Sequence, residues 1–365
     1  MPRFLGFFVL LLVLPLHAAS DWALALFYDK ANTALSIQDI QCPTAKACVA
    51  AGVILGGEDP KPTAVVTSDG GAHWSYVGLK QIPISLFFLN EANGWLVTEH
   101  ALWRSTDTGR AWKRVTEIEG IIRVYFDSEK HGWAVGRPML ILETNDGGKT
   151  WLNAKVPLDA AFDPSAVSFD WIHFSDSNHG WIFGATVSGS LEPRSPPWLH
   201  PDRAAAIGEV HSSVSLFRTS DRGATWAQDR TGFAGSILNV AAAPDGEPLA
   251  VVRLRGKYLP PTDVMRLDFH GGPPVSLYRH QDRVVTGVAV APDGSLFLAA
   301  IDPPGTSTQI PIPGRVRVLR ARLPDLDWTE MTVDYRAVAQ RAILAVAGDD
   351  LFIATDTGMI LKHLH

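Results

Sequence analysis

The chain has 365 residues, of which 46% are hydrophobic and 19% charged, with a formal net charge of −6. That mild acidity, with no long run of Lys or Arg, excludes the basic footprint expected of a nucleic-acid binder. The length suits two or three ordinary domains, or one closed ring of repeats.

In chain order, residues 1–19 read as a secretory signal. Arg3 supplies a small positive start, Phe4 to Leu14 an apolar stretch, and Pro15 a break before the small residues Ala18, Ala19 and Ser20. The apolar stretch is too short for a membrane-spanning helix. No cysteine stands at the cleavage point, which argues against a lipid anchor. Residues 20–365 are therefore expected to be exported, secreted or periplasmic, without a transmembrane segment.

Cys42 and Cys48, the two cysteines of the chain, fall on neighbouring predicted strands across one short turn. An oxidising compartment would let them pair. So short a loop would contribute roughly 2 kcal/mol.

An eight-residue phrase, Ser/Thr-x-Asp-x-Gly-x-x-Trp, then occurs four times. It reads TSDGGAHW (Thr67 to Trp74), STDTGRAW (Ser105 to Trp112), TNDGGKTW (Thr144 to Trp151) and TSDRGATW (Thr219 to Trp226). The first three copies begin 38 and 39 residues apart and the fourth 75 residues later. A Gly-Trp phrase keeps the same beat at Trp95, Trp133 and Trp181. The long interval is thus one repeat carrying an insertion at about residues 186–212. Asp69, Asp107, Asp146 and Asp221, with the Ser/Thr two residues before each, can bond nearby backbone N–H groups and hold a tight hairpin. Gly71, Gly109, Gly148 and Gly223 supply the positive φ. Trp74, Trp112, Trp151 and Trp226 offer a large apolar surface, with an indole N–H that needs one partner. These residues are read as folding devices, not as catalytic acids or metal ligands.

Past residue 235 the phrase is lost and the rhythm stays. Two strands surround Ala-Pro-Asp-Gly at Ile237 to Val252 and again at Val285 to Ala300, and Ala342 to Leu364 repeats the scheme around Gly-Asp-Asp. Units fall near 35–80, 84–118, 121–158, 167–232, 236–280, 284–334 and 341–365. Each reads as four short antiparallel strands, which is a propeller blade. The last unit has room for three, and WALALF (Trp22 to Phe27) is left over at the other end. Pairing the two would close a single seven-bladed all-β propeller over residues 20–365 and remove its sheet edges.

The repeated phrase is the Asp-box, or BNR repeat, of sialidases, sortilin-type receptors and xyloglucanases. The coupling of Phe126, Asp127, Gly132, Trp133 and Gly136 to Thr144, Asp146, Gly147, Gly148, Thr150 and Trp151 resembles the photosystem II stability/assembly factor family more closely. The resemblance runs from about Leu35 to Trp226. It implies an exported seven-bladed propeller that acts as an assembly or protein-binding scaffold.

A sialidase-like glycan hydrolase is the alternative on the same frame. It would need an arginine triad and a Tyr/Glu pair, and neither is recognisable; Arg137-Pro138 does not replace the usual Arg-Ile-Pro start. A xyloglucanase needs two aspartates across a cleft between two propellers, and the chain has length for one. No metalloprotease, nucleophile-elbow or P-loop motif is present. His131 and His179 occupy the same turn position before Gly-Trp and are read as structural. The expectation is no catalytic residue, no metal and no cofactor, in a monomer with a protein partner. Candidate partner contacts lie in the insertion: Arg194, Trp198, His200, Asp202 and Arg203, where a long loop sets a tryptophan among arginines. The Pro-rich run Ile301 to Arg317 is a second candidate loop.

Overall fold

The computed structural model describes residues 21–154, 167–187, 212–229, 235–254, 260–268, 272–302, 312–334 and 336–364. After β1 (Trp22–Phe27), blade 1 comprises β2 (Ala34–Gln41), β3 (Cys48–Leu55), β4 (Lys61–Thr67) and β5 (Ser75–Gly78). Blade 2 comprises β6 (Pro83–Phe88), β7 (Gly94–Thr98), β8 (Ala101–Ser105) and β9 (Lys113–Glu117). Blade 3 comprises β10 (Ile121–Phe126), β11 (Gly132–Gly136), β12 (Leu140–Thr144) and β13 (Leu152–Asn153). Blade 4 comprises β14 (Val167–Phe174), β15 (Gly180–Val187), β16 (Ser212–Thr219) and β17 (Ala227–Asp229). Blade 5 comprises β18 (Ser236–Ala242), β19 (Pro248–Arg253), β20 (Thr262–Arg266) and β21 (Val275–Arg279). Blade 6 comprises β22 (Val284–Val290), β23 (Ser295–Asp302), β24 (Gly314–Arg322), β25 (Thr329–Met331) and β26 (Val338–Ala339). Blade 7 comprises β27 (Ala342–Ala347), β28 (Asp350–Thr355) and β29 (Met359–His363), to which β1 adds as the outermost strand.

The seven sheets and the closure are as the repeats predict. Trp22 pairs with His363 and Phe27 with Met359. The Asp21 backbone N–H also donates to Thr332 O, 3.1 Å, and its carbonyl accepts from Leu364 N, 2.8 Å. Blade 6 adds a feature the pattern does not announce. After β25 the chain returns, and β26 pairs with the start of β24.

The antiparallel order puts the turns between first and second, and third and fourth, strands of every blade on one end of the ring. Those between second and third strands, and between blades, lie on the other. All four Asp-boxes are third-to-fourth turns, so they share one end. The boxes are built alike. In blade 3 the Thr144 hydroxyl donates to Asp146 Oδ1, 2.9 Å, and accepts from Gly148 N, 3.0 Å, while Asp146 Oδ1 accepts from Thr150 N, 2.9 Å. Thr67, Ser105 and Thr219 repeat the arrangement.

The core lies between the sheets. Trp95 of blade 2 stacks on Phe126 of blade 3 at 3.9 Å, and Trp133 of blade 3 on Phe174 of blade 4 at 4.3 Å. Each of these phenylalanines also meets the Asp-box tryptophan of its own blade edge-on, Trp151 and Trp226 respectively. Gly148 shows why the box needs glycine. Its φ is +92° and a Cβ there would stand 2.6 Å from Leu102 of the preceding blade. One expectation fails. The indole N–H groups of Trp74, Trp112, Trp151 and Trp226 are buried with no hydrogen-bond partner. Trp226 is buried and the other three are half-buried, and burial of that apolar ring surface outweighs the cost of leaving the donor unpaired.

Candidate partner-binding site

The inner strands line the central channel. In six of the seven the register shifts near the end opposite the Asp-boxes, with Gln38, Ile84, Ile122, Asp170, Leu238 and Thr286 as the extra residues. A bulge bends a strand and re-aims the following side chain. Here, side chains at or beside the bulge reach across to the next blade. Asp39 Oδ2 accepts from Leu86 N, 2.9 Å, and the Ser85 hydroxyl donates to Ile122 O, 2.7 Å. Arg123 Nε donates to Asp170 O, 3.4 Å, and Asn239 Oδ1 accepts from Val288 N, 3.0 Å. The Thr286 hydroxyl donates to Ala342 O, 2.9 Å, and Arg341 Nη2 closes the ring on Gln38 O, 2.7 Å. Six of seven junctions are stitched, five from a bulged strand and the last from Arg341, which precedes the unbulged inner strand of blade 7. Among the described residues no such bond joins the inner strands of blades 4 and 5.

At this mouth the Arg123 guanidinium lies 3.9 Å from the centre of the Trp171 ring and 3.7 Å from Asp39 Oδ2. Burial pulls its pKa below the usual range, against the pull of Asp39 and Asp170. The mouth therefore offers a stacked cation and an aromatic plane, with Arg341 on the blade 7 side. Sequence reading missed these residues because single Asp, Ser, Arg or Asn side chains in short apolar strands carry no motif. Their common place just after the strand start was the available signal.

The same end of the ring carries the long connections. β15 ends and β16 begins here, with Val187 paired to Ser212, so the expected insertion gives up its first and last residues to strands. Arg194, Trp198, His200, Asp202 and Arg203 lie outside the described residues. The Pro-rich run of blade 6 also starts and ends here, and part of it, 303–311, lies outside them too. Its base is held by four charges. Arg283 contacts Asp302 and Glu330, both at 3.0 Å, and Arg317 contacts Asp302 at 2.6 Å and Glu330 at 2.7 Å. Each carboxylate thus bridges both arginines.

The other residues singled out by sequence sit at the Asp-box end or in its hairpins. Cys42 and Cys48 are bonded, with Cα atoms 4.0 Å apart, across the first turn of blade 1. The Lys46 carbonyl inside that loop accepts from Gly70 of the box, 2.9 Å. His131 bridges Asp127 and Glu143, 3.0 Å each, and Arg222 of blade 4 reaches Asp127 at 2.7 Å. His179 contacts Asp176 at 2.8 Å. Among the described residues no group of three or more His, Cys, Asp and Glu could hold a metal ion.

One titration follows from packing. His173 lies between Trp181 and Tyr125, ring centres 5.1 and 5.9 Å away. Burial pushes its imidazole from 6.5 down to about 4. The unfolded chain therefore takes up this proton first as pH falls, and stability is lost between about pH 6.5 and 4, by ~3 kcal/mol. The box aspartates act in a different window. The Thr150 hydroxyl and N–H hold Asp146 at about 2, so the stability it gives is lost only below the ordinary carboxylate range. Urea midpoints at pH 7.5 and 4.5 should differ for the wild-type chain and draw together for His173→Phe. An undiminished difference in that variant would show that other groups carry it.

The family model for the photosynthesis system II assembly factor YCF48 matches residues 67–162 and 115–187. The chain is an Asp-box propeller resembling the photosystem II assembly factors. The photosystem II assembly lipoprotein Ycf48 of Synechococcus sp. (strain CC9902) is 24% identical over 218 residues, 53% of this chain and 61% of that protein. The match thus spans less than two thirds of that relative. The lipoprotein of the same name from Nostoc sp. (strain PCC 7120) is 26% identical over 261 residues, 67% of this chain and 73% of that protein. A solved structure described as YCF48 bound to D1 peptide superposes with a TM-score of 0.61 at 18% identity, over 96% of this chain and 97% of the other. At that identity the likeness shows the fold.

Proposed function

We propose that this chain is an exported, non-catalytic propeller that binds a protein segment during photosystem II assembly or an equivalent membrane-complex assembly. The match to assembly factors, one of them solved with a D1 peptide, carries the reading. The geometry supports the loop-bearing end as the contact surface. There the Arg123–Trp171 stack and Arg341 stand at the channel mouth, and the sequence insertion with Arg194, Trp198, His200, Asp202 and Arg203 joins blade 4. Exposed connections on a rigid frame are the usual place for partner contacts. The lipoprotein relatives support export, and the leader at 1–19 is proposed to be removed.

The test is a titration with the D1 peptide, using the wild-type chain, Trp171→Ala and a deletion of Gly189 to Asp202. Saturable binding weakened by both changes is expected. Binding indifferent to both would overturn the choice of face. Turnover of sialosides or β-glucans, abolished by a single Asp or Glu substitution, would overturn the non-catalytic reading.

A further inference from the structure

We infer that the Asp-box end of the ring holds a second site, in the seam between blades 4 and 5, which takes a lysine or arginine side chain of a bound peptide. This inference concerns the end opposite the loop-bearing face and does not depend on it.

The seam is where the repeat changes. At three earlier junctions the box glycine of the following blade lies on its neighbour: Gly109 on Val49, Gly148 on Leu102 and Gly223 on Trp133. Blade 5 has no Asp-box, and Ala242 stands in its inner strand where blades 3 and 4 have Phe126 and Phe174. A cavity of about 610 Å³ lies there, within the range of small-ligand sites. The first turns of the two blades meet on its channel side, where a Cβ on Gly246 would stand 2.8 Å from that of Ser175.

The lining decides the ligand. Asp176 stands on the blade 4 side, and Asp245 and Glu247 on the blade 5 side. N–H groups of Asn178 and His179 hold Asp176 at about 2, so it stays ionised. Asp245 and Glu247 share Arg266, the His179 ring sits on Asp176 at 2.8 Å, and Arg218 is the one arginine among the lining residues. Three carboxylates against two guanidinium groups leave the seam negative. Gly180, Gly246 and Ala227 also line the cavity, and their small size leaves room for an alkyl stem whose charged head reaches the carboxylates.

Tetralysine and tetraglycine are the probes, measured by calorimetry on the full chain. Tetralysine should bind, tetraglycine should not, and added salt should weaken the binding. Asp176→Asn keeps the turn acceptor and Glu247→Gln keeps an oxygen for Arg266, so melting temperatures should hold. Each should weaken tetralysine binding about fivefold, the upper range for exposed ion pairs, with the losses multiplying in the double variant. Asp325→Asn with Asp327→Asn, on the same end of blade 6, should leave it unchanged. Equal weakening by that control pair, affinity untouched in the double variant, or equal binding of tetraglycine would each overturn the site. D1-peptide binding at the loop-bearing face should be unaffected by Glu247→Gln, which separates failure here from failure of the proposed function.

Discussion

Deleting Trp22–Phe27 should abolish cooperative folding of the ring, and no single side-chain change should match it. The strand β1 is the fourth strand of blade 7, and its removal exposes the whole edge of β29. Trp22 is 4% exposed and belongs to the core shared with blade 6, while Ala25 and Leu26 pack on the core shared with blade 1. The deletion therefore uncovers two inter-blade cores and one row of unpaired backbone groups. The measurement is a urea titration followed by near-UV circular dichroism, with light scattering for edge-to-edge association. A broad or absent transition with scattering is expected. A sharp transition within about 2 kcal/mol of the intact chain, well inside the stability range of ordinary domains, would show that closure through β1 is dispensable. A synthetic peptide of residues 21–28 added in trans should restore part of the transition, because the edge it pairs with is otherwise intact.

What the sequence disclosed follows from how the fold encodes itself. The Asp-box needs Ser/Thr, Asp, Gly and Trp at fixed places because each satisfies a local backbone or packing demand. Three copies 38 and 39 residues apart, and a fourth 75 residues on, therefore set the repeat length and the architecture, and the later Pro-Asp-Gly and Gly-Asp-Asp units carry the count to seven. The one-strand shortage of the last unit and the orphan WALALF disclosed the closure for the same reason, since an unpaired strand must find a partner. The channel mouth was not legible. Asp39, Ser85, Arg123 and Asn239 are four different residue types doing one geometric task, to reach a neighbouring blade from beside a bulge, and a bulge leaves no fixed residue signature. The blade 4–5 seam was half legible. Loss of the box after Trp226 is plain in the sequence, but the cavity arises from distances between turns far apart in the chain, such as those of Ser175 and Gly246, 71 residues on.

Trp133 tests the aromatic logic of the ring directly. Its side chain is fully buried, stacked on Phe174 and edge-on to His131 at 4.3 Å. Gly223 of the blade 4 box sits against its indole, so that a Cβ would stand 2.7 Å from Nε1. Trp133→Ala thus removes a stacking partner, leaves a void, and takes away the surface on which the next Asp-box rests. The expected loss is ~4 kcal/mol, or about 5 °C in melting temperature for a chain of this size. Leu152→Ala, at a side chain 69% exposed on β13, should change stability by no more than about 0.5 kcal/mol. Trp133→Phe should recover part of the loss by restoring an aromatic face to Phe174. A double-mutant cycle with Phe174→Ala distinguishes stacking from simple volume. If the two residues act as one inter-blade unit, the double variant should lose clearly less than the two single losses together. Strict additivity would mean that each ring fills its own space and that the repeated tryptophan–phenylalanine contact does not itself couple one blade to the next.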